Sequence, residues 1–546
     1  MSVHTDVNMV YDASANTFLP GNNVAFTDQA TQCLTSFSLD FERQSANTTD
    51  GPNMTVHSVL VNGAPATFTF EQPTRRIPIR WRTRRRRTTR SAALAVTRCR
   101  LRARLSCRTV ASARIRWTAP SARRTSYITP RAPTKDNSTF TVVVNYTGRP
   151  GVHNDGDGTT EGWFRAADGS FVTTEPVGTE DWMPLNDYPT AKPTYDFYDT
   201  INAGKTTVAN GDLVSVTQTA PDANFPAGST TYRWHSAAPI ASYLVEDSVG
   251  NYTFSTRLGS DGITYEEAQD SAIGPAQQAS NKAVMDQQQD ITDFESQFNG
   301  PFPFDTDGVV VGTPSASFEE EMQTMITFAG GRVGLSTFYH ENMHQWWGDN
   351  VTEGGYTMTF FKEGMAQLAQ YMLTARNAET AAGGPGTATG QAAFQASLIA
   401  QFNTNYARGS SFWSAAPSNP TPFGLFSNSP TYARPATAYI ALWQILGTDS
   451  FTKVLQQIQQ TYGGGSITEA QLEAAFQSGL PNKSAACKGH LGQFFTEWFD
   501  TAYPSGSASK PDITGPGLAG QGFYDTHGGE CKNVWPCGFP NRGISN

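Results

Sequence analysis

The amino-acid sequence predicts a multi-domain α+β protein in which an all-β domain precedes a mainly α-helical domain. The chain has 546 residues, of which 38% are hydrophobic, and at roughly 150 residues per domain this length is enough for about two to four domains. From about residue 24 to residue 256, short runs rich in Val, Thr, Phe and Tyr alternate with turn residues, a pattern typical of strands. After Gly259, apolar residues recur at helical spacing instead.

The predicted strands come first along the chain. Each is short, rich in β-branched or aromatic residues, and bounded by turn residues such as Asn62-Gly63. These strands are Thr55–Val61, Thr139–Tyr146, Leu213–Thr219 and Ala241–Val245. We therefore expect residues 1–256 to form the β domain.

The predicted helices occupy the second half of the chain, and we expect residues 257–501 to form the second domain. They are Ala268–Phe298, Phe338–Gly348, Phe361–Thr374, Ala438–Leu446 and Ile467–Phe476. The segment Ala378–Gly390 is rich in Gly, Ala and Thr, which predicts a loop. Gly and Pro dominate residues 502–546, which predicts an irregular tail.

One segment within the β domain has an anomalous composition. Residues 72–135 contain 19 Arg and one Lys but no Asp or Glu, although the whole chain has 39 basic and 48 acidic residues and a net charge of -9. Three explanations compete: a nucleic-acid or polyanion patch, a disordered basic insertion, or a shifted reading frame of a GC-rich gene. The segment has neither aromatic interleaving nor a nucleic-acid motif, so we expect no nucleic-acid partner. We favour the shifted frame because Arg, Ser, Thr, Ala and Pro dominate the segment whereas Gly and acidic residues are absent from it.

The sequence also bears on the location of the protein. No apolar run approaches the roughly 20 residues that a membrane-spanning helix needs, and no signal peptide is visible after Met1. The low Lys content, the many Thr, Asn and Gly residues and the acidic remainder of the chain lead us to expect an extracellular protein, with a cytoplasmic location as the alternative. We expect a monomer that does not associate with membranes.

A metal-binding pattern lies in the predicted helix at 338–348. Residues 340–344, HENMH, have the form H-E-x-x-H. Two His four positions apart lie on one face of a helix, so both imidazoles can bind one zinc ion. Glu341 lies beside the position of the metal's water, where a carboxylate acts as general base. Glu363, 19 positions after His344 on the next predicted helix, can supply a third ligand.

The alternative is that these are ordinary polar residues on an amphipathic helix. Only eight His occur in the chain, and two at this spacing with Glu after the first arise by chance in about one of a few hundred such sequences. With Glu363 as a third ligand, we favour the metal site.

These residues resemble those of a known family. Residues 340–349, HENMHQWWGD, and residues 362–366, KEGMA, are similar to the gluzincin zinc metallopeptidases of the aminopeptidase N and leukotriene hydrolase type. That family has H-E-x-x-H, then eighteen residues as here, then Glu, usually within N-E-G-x-A. In this chain Lys362 stands in place of the Asn.

The resemblance implies the roles of several residues. One zinc ion would be bound by His340, His344 and Glu363, with Glu341 as general base and proton shuttle. The motif TYARPA at 431–436 resembles the family's Y-x-K-G-A, whose Tyr donates a hydrogen bond to the oxyanion of the tetrahedral intermediate. Tyr432 is expected to take that role.

Two further matches imply where the free amine of a peptide would bind. Residues 318–328, FEEEMQTMITF, resemble the family's G-x-M-E-N region and place Glu321 at the amine-binding position, although the Gly and Asn of that motif are lost. Residues 174–176, TEP, and 182–192, WMPLNDYPTAK, resemble its E-P…F-P-x-x-D-x-P-x-x-K stretch, which places Glu175 beside the first carboxylate. A carboxylate that holds the ammonium group fixes which peptide bond reaches the metal.

The resemblance also implies a fold and a function. We expect a saddle-like β domain, a thermolysin-like catalytic domain and no large C-terminal helical domain, since only 45 residues follow position 501. We expect a zinc-dependent aminopeptidase that acts on peptides with a free N-terminus. The alternatives are a non-catalytic binding relative, against which the intact Glu341 argues, and a zinc endopeptidase or epoxide hydrolase on the same scaffold.

Overall fold

The computed structural model describes residues 1–45, 47–70, 125–156, 158–314, 316, 318–421, 424–480, 483–503 and 510. The predicted fold class is confirmed, because a β-rich N-terminal half precedes a mainly helical half. None of the helices in these ranges combines the length and the hydropathy that crossing a membrane requires.

Strands dominate the chain up to residue 270, and the strands expected at 55–61, 139–146 and 213–219 are confirmed. In chain order the strands are β1 (Ser2–Asn8), β2 (Val10–Asp12), β3 (Thr17–Phe18), β4 (Asn23–Gln29), β5 (Phe37–Asp40), β6 (Asn53–Val61), β7 (Ala64–Pro65), β8 (Thr67–Phe70), β9 (Thr125–Thr129), β10 (Thr139–Arg149), β11 (Val152–Asn154), β12 (Thr160–Arg165), β13 (Ser170–Thr173), β14 (Thr194–Asn202), β15 (Thr206–Ala209), β16 (Asp212–Thr219), β17 (Ser229–Ser236), β18 (Asp247–Gly250), β19 (Tyr252–Leu258) and β20 (Thr264–Asp270).

The largest sheet has ten strands and is built around β10, which pairs antiparallel with β4 and β6. Along β10 alternate side chains such as Val142 and Val144 are buried, because successive residues of a strand face opposite sides of the sheet. Asn62 and Gly63 connect β6 to β7, and both have positive φ, 50° and 73°. A two-residue hairpin turn favours this conformation, which Asn and Gly adopt readily.

The Arg-rich segment is only partly described. Its last residues include β9, which lies between β5 and β8 in a three-stranded antiparallel sheet. Residues 72–124 of the segment lie outside the described residues, so the shifted-frame hypothesis stays a prediction. The expected tail at 502–546 also lies outside them, apart from residues 502, 503 and 510.

Helices dominate after residue 270, and short strands accompany them. The strands are β21 (Thr306–Val311), β22 (Met325–Phe328), β23 (Val351–Glu353) and β24 (Gly465–Ile467). The helices are α1 (Pro275–Met285), α2 (Gln288–Asn299), α3 (Leu335–His344), α4 (Thr359–Ala381), α5 (Ala388–Tyr406), α6 (Ser410–Trp413), α7 (Arg434–Leu446), α8 (Thr448–Tyr462), α9 (Glu469–Gly479) and α10 (Ala485–Phe495).

A four-stranded sheet joins the two halves. Its order is β19-β20-β21-β22, with β20, β21 and β22 parallel to one another and β19 antiparallel to β20. The expected domain boundary at residue 256 falls within β19, and the domain limits stay predictions. Beyond β22, the isolated bridge between Glu320 and Thr327 holds the chain that carries Glu321 against the sheet.

The helical half has a large apolar core centred on α4. This helix packs against α3, α5 and α7, and it buries Phe361, Met365, Leu368 and Met372. These side chains follow the helical spacing from which α4 was predicted. Each such side chain contributes about 1.5–3 kcal/mol on burial, so the relative position of α3 and α4 is strongly fixed.

One predicted element is wrong and another is confirmed only in part, for identifiable reasons. Ala241–Val245 is not a strand, since Ser242–Leu244 forms a single 3₁₀ turn. All five residues are fully buried, and a short continuous apolar run does not distinguish a strand from other buried structure. The helix expected at 268–298 begins instead as β20, and Pro275 then starts α1, which suits Pro because the first turn needs no N–H donor.

The loop expected at Ala378–Gly390 is shorter than predicted. Helix α4 continues to Ala381, and α5 begins at Ala388. The Thr387 side chain accepts a hydrogen bond from the Gly390 amide and caps α5. Helix α5 itself was not predicted.

Candidate metal centre

Helices α3 and α4 bring the three predicted metal ligands to one point. His340 and His344 lie one turn apart on α3, with ring centroids separated by 4.9 Å. The Oε2 atom of Glu363 on α4 lies 3.4 Å from the Nε2 atom of each His. The i, i+4 spacing places the two imidazoles side by side on α3. The packing of α3 against α4 then brings the Glu363 carboxylate next to them.

The donor atoms of this cluster fit a zinc ion. The Nδ1 atom of His344 lies 2.8 Å from the Trp347 carbonyl oxygen, which only accepts, so Nδ1 carries a proton. In the neutral imidazole that a metal ion binds, Nε2 then presents its lone pair towards Glu363. Two atoms that both present lone pairs are stabilised when a cation lies between them. Two imidazole nitrogens and one carboxylate oxygen are the ligands of a catalytic zinc site, and the bond to Trp347 fixes the ring orientation that such a ligand needs.

The charge state of Glu363 agrees with this role. Burial by itself raises the pKa of its carboxyl group, but Lys362 and His344 act in the opposite direction and hold the pKa well below its ordinary value. Glu363 is therefore a carboxylate at neutral pH, as a metal ligand must be.

Glu341 lies beside this cluster with a different environment. Ligand atoms of His340, Glu341 and His344 all lie within 4.8 Å of one another. Burial raises the pKa of the Glu341 carboxyl group well above its ordinary value, and the charges of Glu321 and Glu363 raise it further. A carboxylate whose proton affinity is raised in this way is suited to accept a proton near neutral pH.

All seven residues singled out in the sequence line one cavity of about 300 Å³. Its lining is mainly acidic and also includes three aromatic side chains. Its lining consists of Thr159, Glu175, Phe318, Glu319, Glu321, His340, Glu341, His344, Glu363, Phe426 and Tyr432.

Glu175 reaches this cavity because a neighbouring carboxylate holds its backbone. Glu320 is fully buried, and its Oε2 atom accepts a hydrogen bond of 2.6 Å from the Thr174 amide. The Thr174 hydroxyl in turn donates to the Tyr243 carbonyl oxygen at 2.6 Å. Glu320 is thus a buried residue that links the segment of Glu321 to that of Glu175.

Gln345 positions Glu321 and was not identified from the sequence. Its side chain is fully buried, and its Nε2 atom donates to the Glu321 carbonyl oxygen at 2.9 Å. Its Oε1 atom accepts from the Thr324 amide at 2.8 Å. Both ends of the amide therefore hold the turn after Glu321 against α3, including Thr324 with its positive φ of 65°. A single Gln after H-E-x-x-H gives no sequence signal for this contact.

Lys362 is the second residue whose importance was not predicted. Its side chain is fully buried, and its Nζ atom lies 2.5 Å from Glu175 Oε1, 3.3 Å from Glu363 Oε1 and in direct contact with Glu321 Oε1. Burial by itself lowers the pKa of Lys362, but the carboxylates of Glu175 and Glu321 outweigh it and raise the pKa well above its ordinary value. Lys362 is therefore an ammonium group placed among the carboxyl groups of Glu175, Glu321 and Glu363.

Tyr432 lies close to the predicted metal ligands but on a different element from α3 and α4. It lies in a π-helical turn, Asn428–Ala433, that leads into α7, and its ring centroid is 5.9 Å from that of His340. Burial raises the pKa of the Tyr432 phenol well above its ordinary value, and Glu363 adds to this effect. The hydroxyl therefore keeps its proton and remains a hydrogen-bond donor.

The buried Arg434 anchors the turn that carries Tyr432. Its guanidinium group donates to four backbone carbonyl groups at 2.7–3.3 Å, which belong to Trp413, Ala415, Glu497 and Thr501. The segments before and after α7 are thereby fixed to the start of the helix.

A comparison with protein-family models finds a match to the part of the chain that contains the candidate metal centre. Residues 331–498, which contain α3 and α4 with all three ligands, match the peptidase family M1 domain. This chain carries a peptidase family M1 domain. The match confirms the resemblance drawn from the motifs over this region and supports a peptidase.

Solved structures share the fold of this chain. The M1 zinc metallopeptidase of Deinococcus radiodurans is 18% identical over 93% of this chain and 95% of its own, with a TM-score of 0.66. A glutamate-to-alanine mutant of that protein bound to the substrate Tyr-Ser-Ala is 19% identical, with the same coverage and TM-score. Native yeast LTA4 hydrolase is 16% identical over 93% of this chain and 69% of its own, with a TM-score of 0.62.

At these identities the solved structures show the fold alone, and the roles of individual residues stay predictions. A search of curated protein sequences finds no match. The saddle-like β half followed by a helical catalytic half is confirmed by the structures that span nearly the whole chain.

Replacing Gln345 should destabilise the protein and weaken substrate binding. The Gln345→Met variant keeps the side-chain volume but leaves the Glu321 carbonyl and the Thr324 amide without partners, which we expect to lower the free energy of unfolding by about 2–4 kcal/mol. Urea denaturation measures this change, and KM should rise because Glu321 is no longer held.

The matched control is Gln444→Met. Gln444 is also buried, but among the described residues neither atom of its side-chain amide has a hydrogen-bond partner. We expect this variant to be neutral or more stable. Equal destabilisation by the two substitutions would contradict the positioning role of Gln345.

Proposed function

We propose that this M1 metallopeptidase is a zinc-dependent aminopeptidase that removes the first residue of peptides with a free N-terminus. The observation that carries the proposal is the meeting of His340, His344 and Glu363 in one cavity with two further carboxylates, Glu175 and Glu321. The first set suits a metal ion, and the second suits an ammonium group. A cavity with both lets the N-terminus of a peptide set the position of its first peptide bond.

Activation of water is assigned to Glu341. A zinc ion bound by His340, His344 and Glu363 would supply Lewis acidity and lower the pKa of a bound water molecule. Glu341 lines the same cavity, and its raised pKa suits it to take a proton from the attacking water. The same carboxyl group would then pass that proton to the leaving amine.

Stabilisation of the negative charge that develops on the carbonyl oxygen is assigned to Tyr432. Its phenol stays protonated because its pKa is raised, and it lines the cavity near His340. A fixed O–H donor aimed at a developing oxyanion stabilises the transition state more than the ground state.

Metal content and the general base are tested together. We expect the purified protein to contain one zinc ion per chain, to lose activity on chelation and to regain it with zinc. Glu341→Gln should keep the zinc ion, because Glu341 is not a ligand, and should lower kcat by about 10²–10⁴-fold. Metal analysis and steady-state kinetics measure both effects.

Glu319→Gln is the matched control for the general base. Glu319 lines the cavity but has no assigned step, so its substitution should leave kcat close to that of the parent. Undiminished turnover by Glu341→Gln would disprove its role as the base.

The cleavage position distinguishes an aminopeptidase from an endopeptidase. We expect mass spectrometry of an unmodified peptide during digestion to show stepwise loss of single residues from the N-terminus, since an ammonium held by carboxylates aligns the first peptide bond with the metal site. Internal fragments as the first products would instead indicate an endopeptidase on this scaffold.

Tyr432→Phe removes the proposed oxyanion donor without changing the ring. We expect kcat to fall by about 10²–10³-fold with little change in KM, because the bond forms fully only in the transition state. Tyr439→Phe is a control in the same helical region, since the Tyr439 hydroxyl donates to the Phe361 carbonyl oxygen and does not line the cavity. A larger loss of kcat in Tyr439→Phe than in Tyr432→Phe would refute the assignment.

We also propose an extracellular location rather than the cytoplasmic alternative. Cys33 and Cys487 are both disulfide-bonded, and disulfide bonds persist mainly in oxidising compartments. The monomeric state stays a prediction.

A further inference from the structure

The starting observation is that an internal ammonium group binds the two carboxylates assigned to the substrate amine. Lys362 Nζ contacts the Oε1 atoms of both Glu175 and Glu321. A substrate ammonium bound by this pair would make contacts of the same kind. Lys362 therefore gives this pair a positive charge that would otherwise come only from a bound substrate.

The geometry leaves the two carboxylates accessible from the cavity. Lys362 has no exposed surface, whereas Glu175 and Glu321 both line the cavity. Each uses Oε1 for Lys362, and among the described residues the Oε2 atom of neither carboxylate has a hydrogen-bond partner. A substrate can thus still reach Glu175 and Glu321, but both side chains already form an ion pair with Lys362.

The surrounding chain is shaped to hold Lys362 in this place. The ammonium lies 4.5 Å from the centre of the Tyr243 ring, a cation–π distance. Gly348 packs against the lysine stem, and a Cβ atom there would lie 3.1 Å from Lys362 Cδ and 3.6 Å from Glu321 Oε1. Because Gly348 also has a φ of +124°, a side chain at this position is excluded and the lysine stem has room.

We infer that Lys362 is a specificity-determining residue that weakens the dependence of this enzyme on a positively charged substrate N-terminus. It leaves the Glu175–Glu321 pair at most one net negative charge, whereas a neutral residue in its place would leave up to two. The enzyme accordingly also accepts substrates whose N-terminus is uncharged. The inference rests on the amine-binding role proposed for these two carboxylates.

The experiment compares two substrates that differ only in the amine. One is a leucyl arylamide, and the other is its desamino analogue, in which hydrogen replaces the α-ammonium group. The ratio of their kcat/KM values is measured for the zinc-loaded enzyme at mildly alkaline pH. In Lys362→Met we expect this ratio to rise by about tenfold or more, because removing a unit charge so close to the ammonium strengthens its attraction to the pair.

Two further variants separate charge from packing. Lys362→Arg retains the positive charge and should keep the ratio of the parent. The double variant Lys362→Met/Glu175→Gln again has at most one negative charge, and it should return the ratio towards that of the parent. These results are expected if the net charge of Glu175, Glu321 and residue 362 sets the ratio of the kcat/KM values. If Lys362 were merely structural, its replacement would lower kcat/KM equally for both substrates.

Folding and turnover are controlled separately. Lys362→Asn, which carries the residue usual in the resembling family and can still donate hydrogen bonds, replaces Lys362→Met if the latter does not fold. Calorimetric titration with leucinamide and its desamino analogue gives the same ratio as dissociation constants, so charge compensation is measured even without turnover.

The outcomes for the two proposals are distinguishable. An unchanged ratio in folded Lys362→Met or Lys362→Asn, by both kinetics and calorimetry, overturns the inference about Lys362. Absence of first-bond cleavage by the zinc-loaded parent, or full activity of Glu341→Gln, overturns the proposed aminopeptidase mechanism instead.

Discussion

The site depends on one constraint: two imidazole nitrogens and a carboxylate oxygen converge where only a cation can satisfy them. The Trp347 carbonyl accepts a hydrogen bond from His344 Nδ1, so in the neutral imidazole the lone pair of Nε2 faces Glu363, whose Oε2 atom lies 3.4 Å away. Such an arrangement of acceptors is unfavourable by itself, and the packing of α3 against α4 maintains it. The apolar core around α4 therefore holds the ligands ready for the metal, and the metal in turn stabilises the fold that binds it.

The second constraint is the concentration of negative charge around that point. Five carboxyl groups line the cavity, those of Glu175, Glu319, Glu321, Glu341 and Glu363. Burial favours their protonated forms, whereas a zinc ion and Lys362 favour the carboxylates. The groups thereby differ in charge state although they are of one chemical kind: Glu363 stays ionised, and Glu341 has a raised proton affinity. This difference suits neighbouring glutamates to the proposed roles of metal ligand and general base.

The parts of the site that sequence could predict are those set by local spacing or by motif. H-E-x-x-H defines one face of one helical turn, so His340 and His344 needed no knowledge of the fold. Lys362 and Gln345 both contact Glu321, which lies 41 and 24 positions away from them along the chain. No local sequence pattern predicts contacts over such separations. The same limit explains the elements. A composition rich in β-branched and aromatic residues identified β10, whereas the mainly apolar run at Ala241–Val245 was consistent with several buried structures.

Charge compensation and amine recognition draw on the same two carboxylates, and this limits how the site can change. A buried ion pair contributes little net stability, but removing one partner leaves an uncompensated charge, which costs about 3–5 kcal/mol. Lys362 therefore cannot be replaced by a neutral residue without either destabilising the centre or requiring an external ammonium to fill the place. Gly348 is tied to the same arrangement, since its missing side chain makes room for the lysine stem. Substrate preference and stability are thus coupled through one buried ammonium group, one residue away in sequence from a metal ligand.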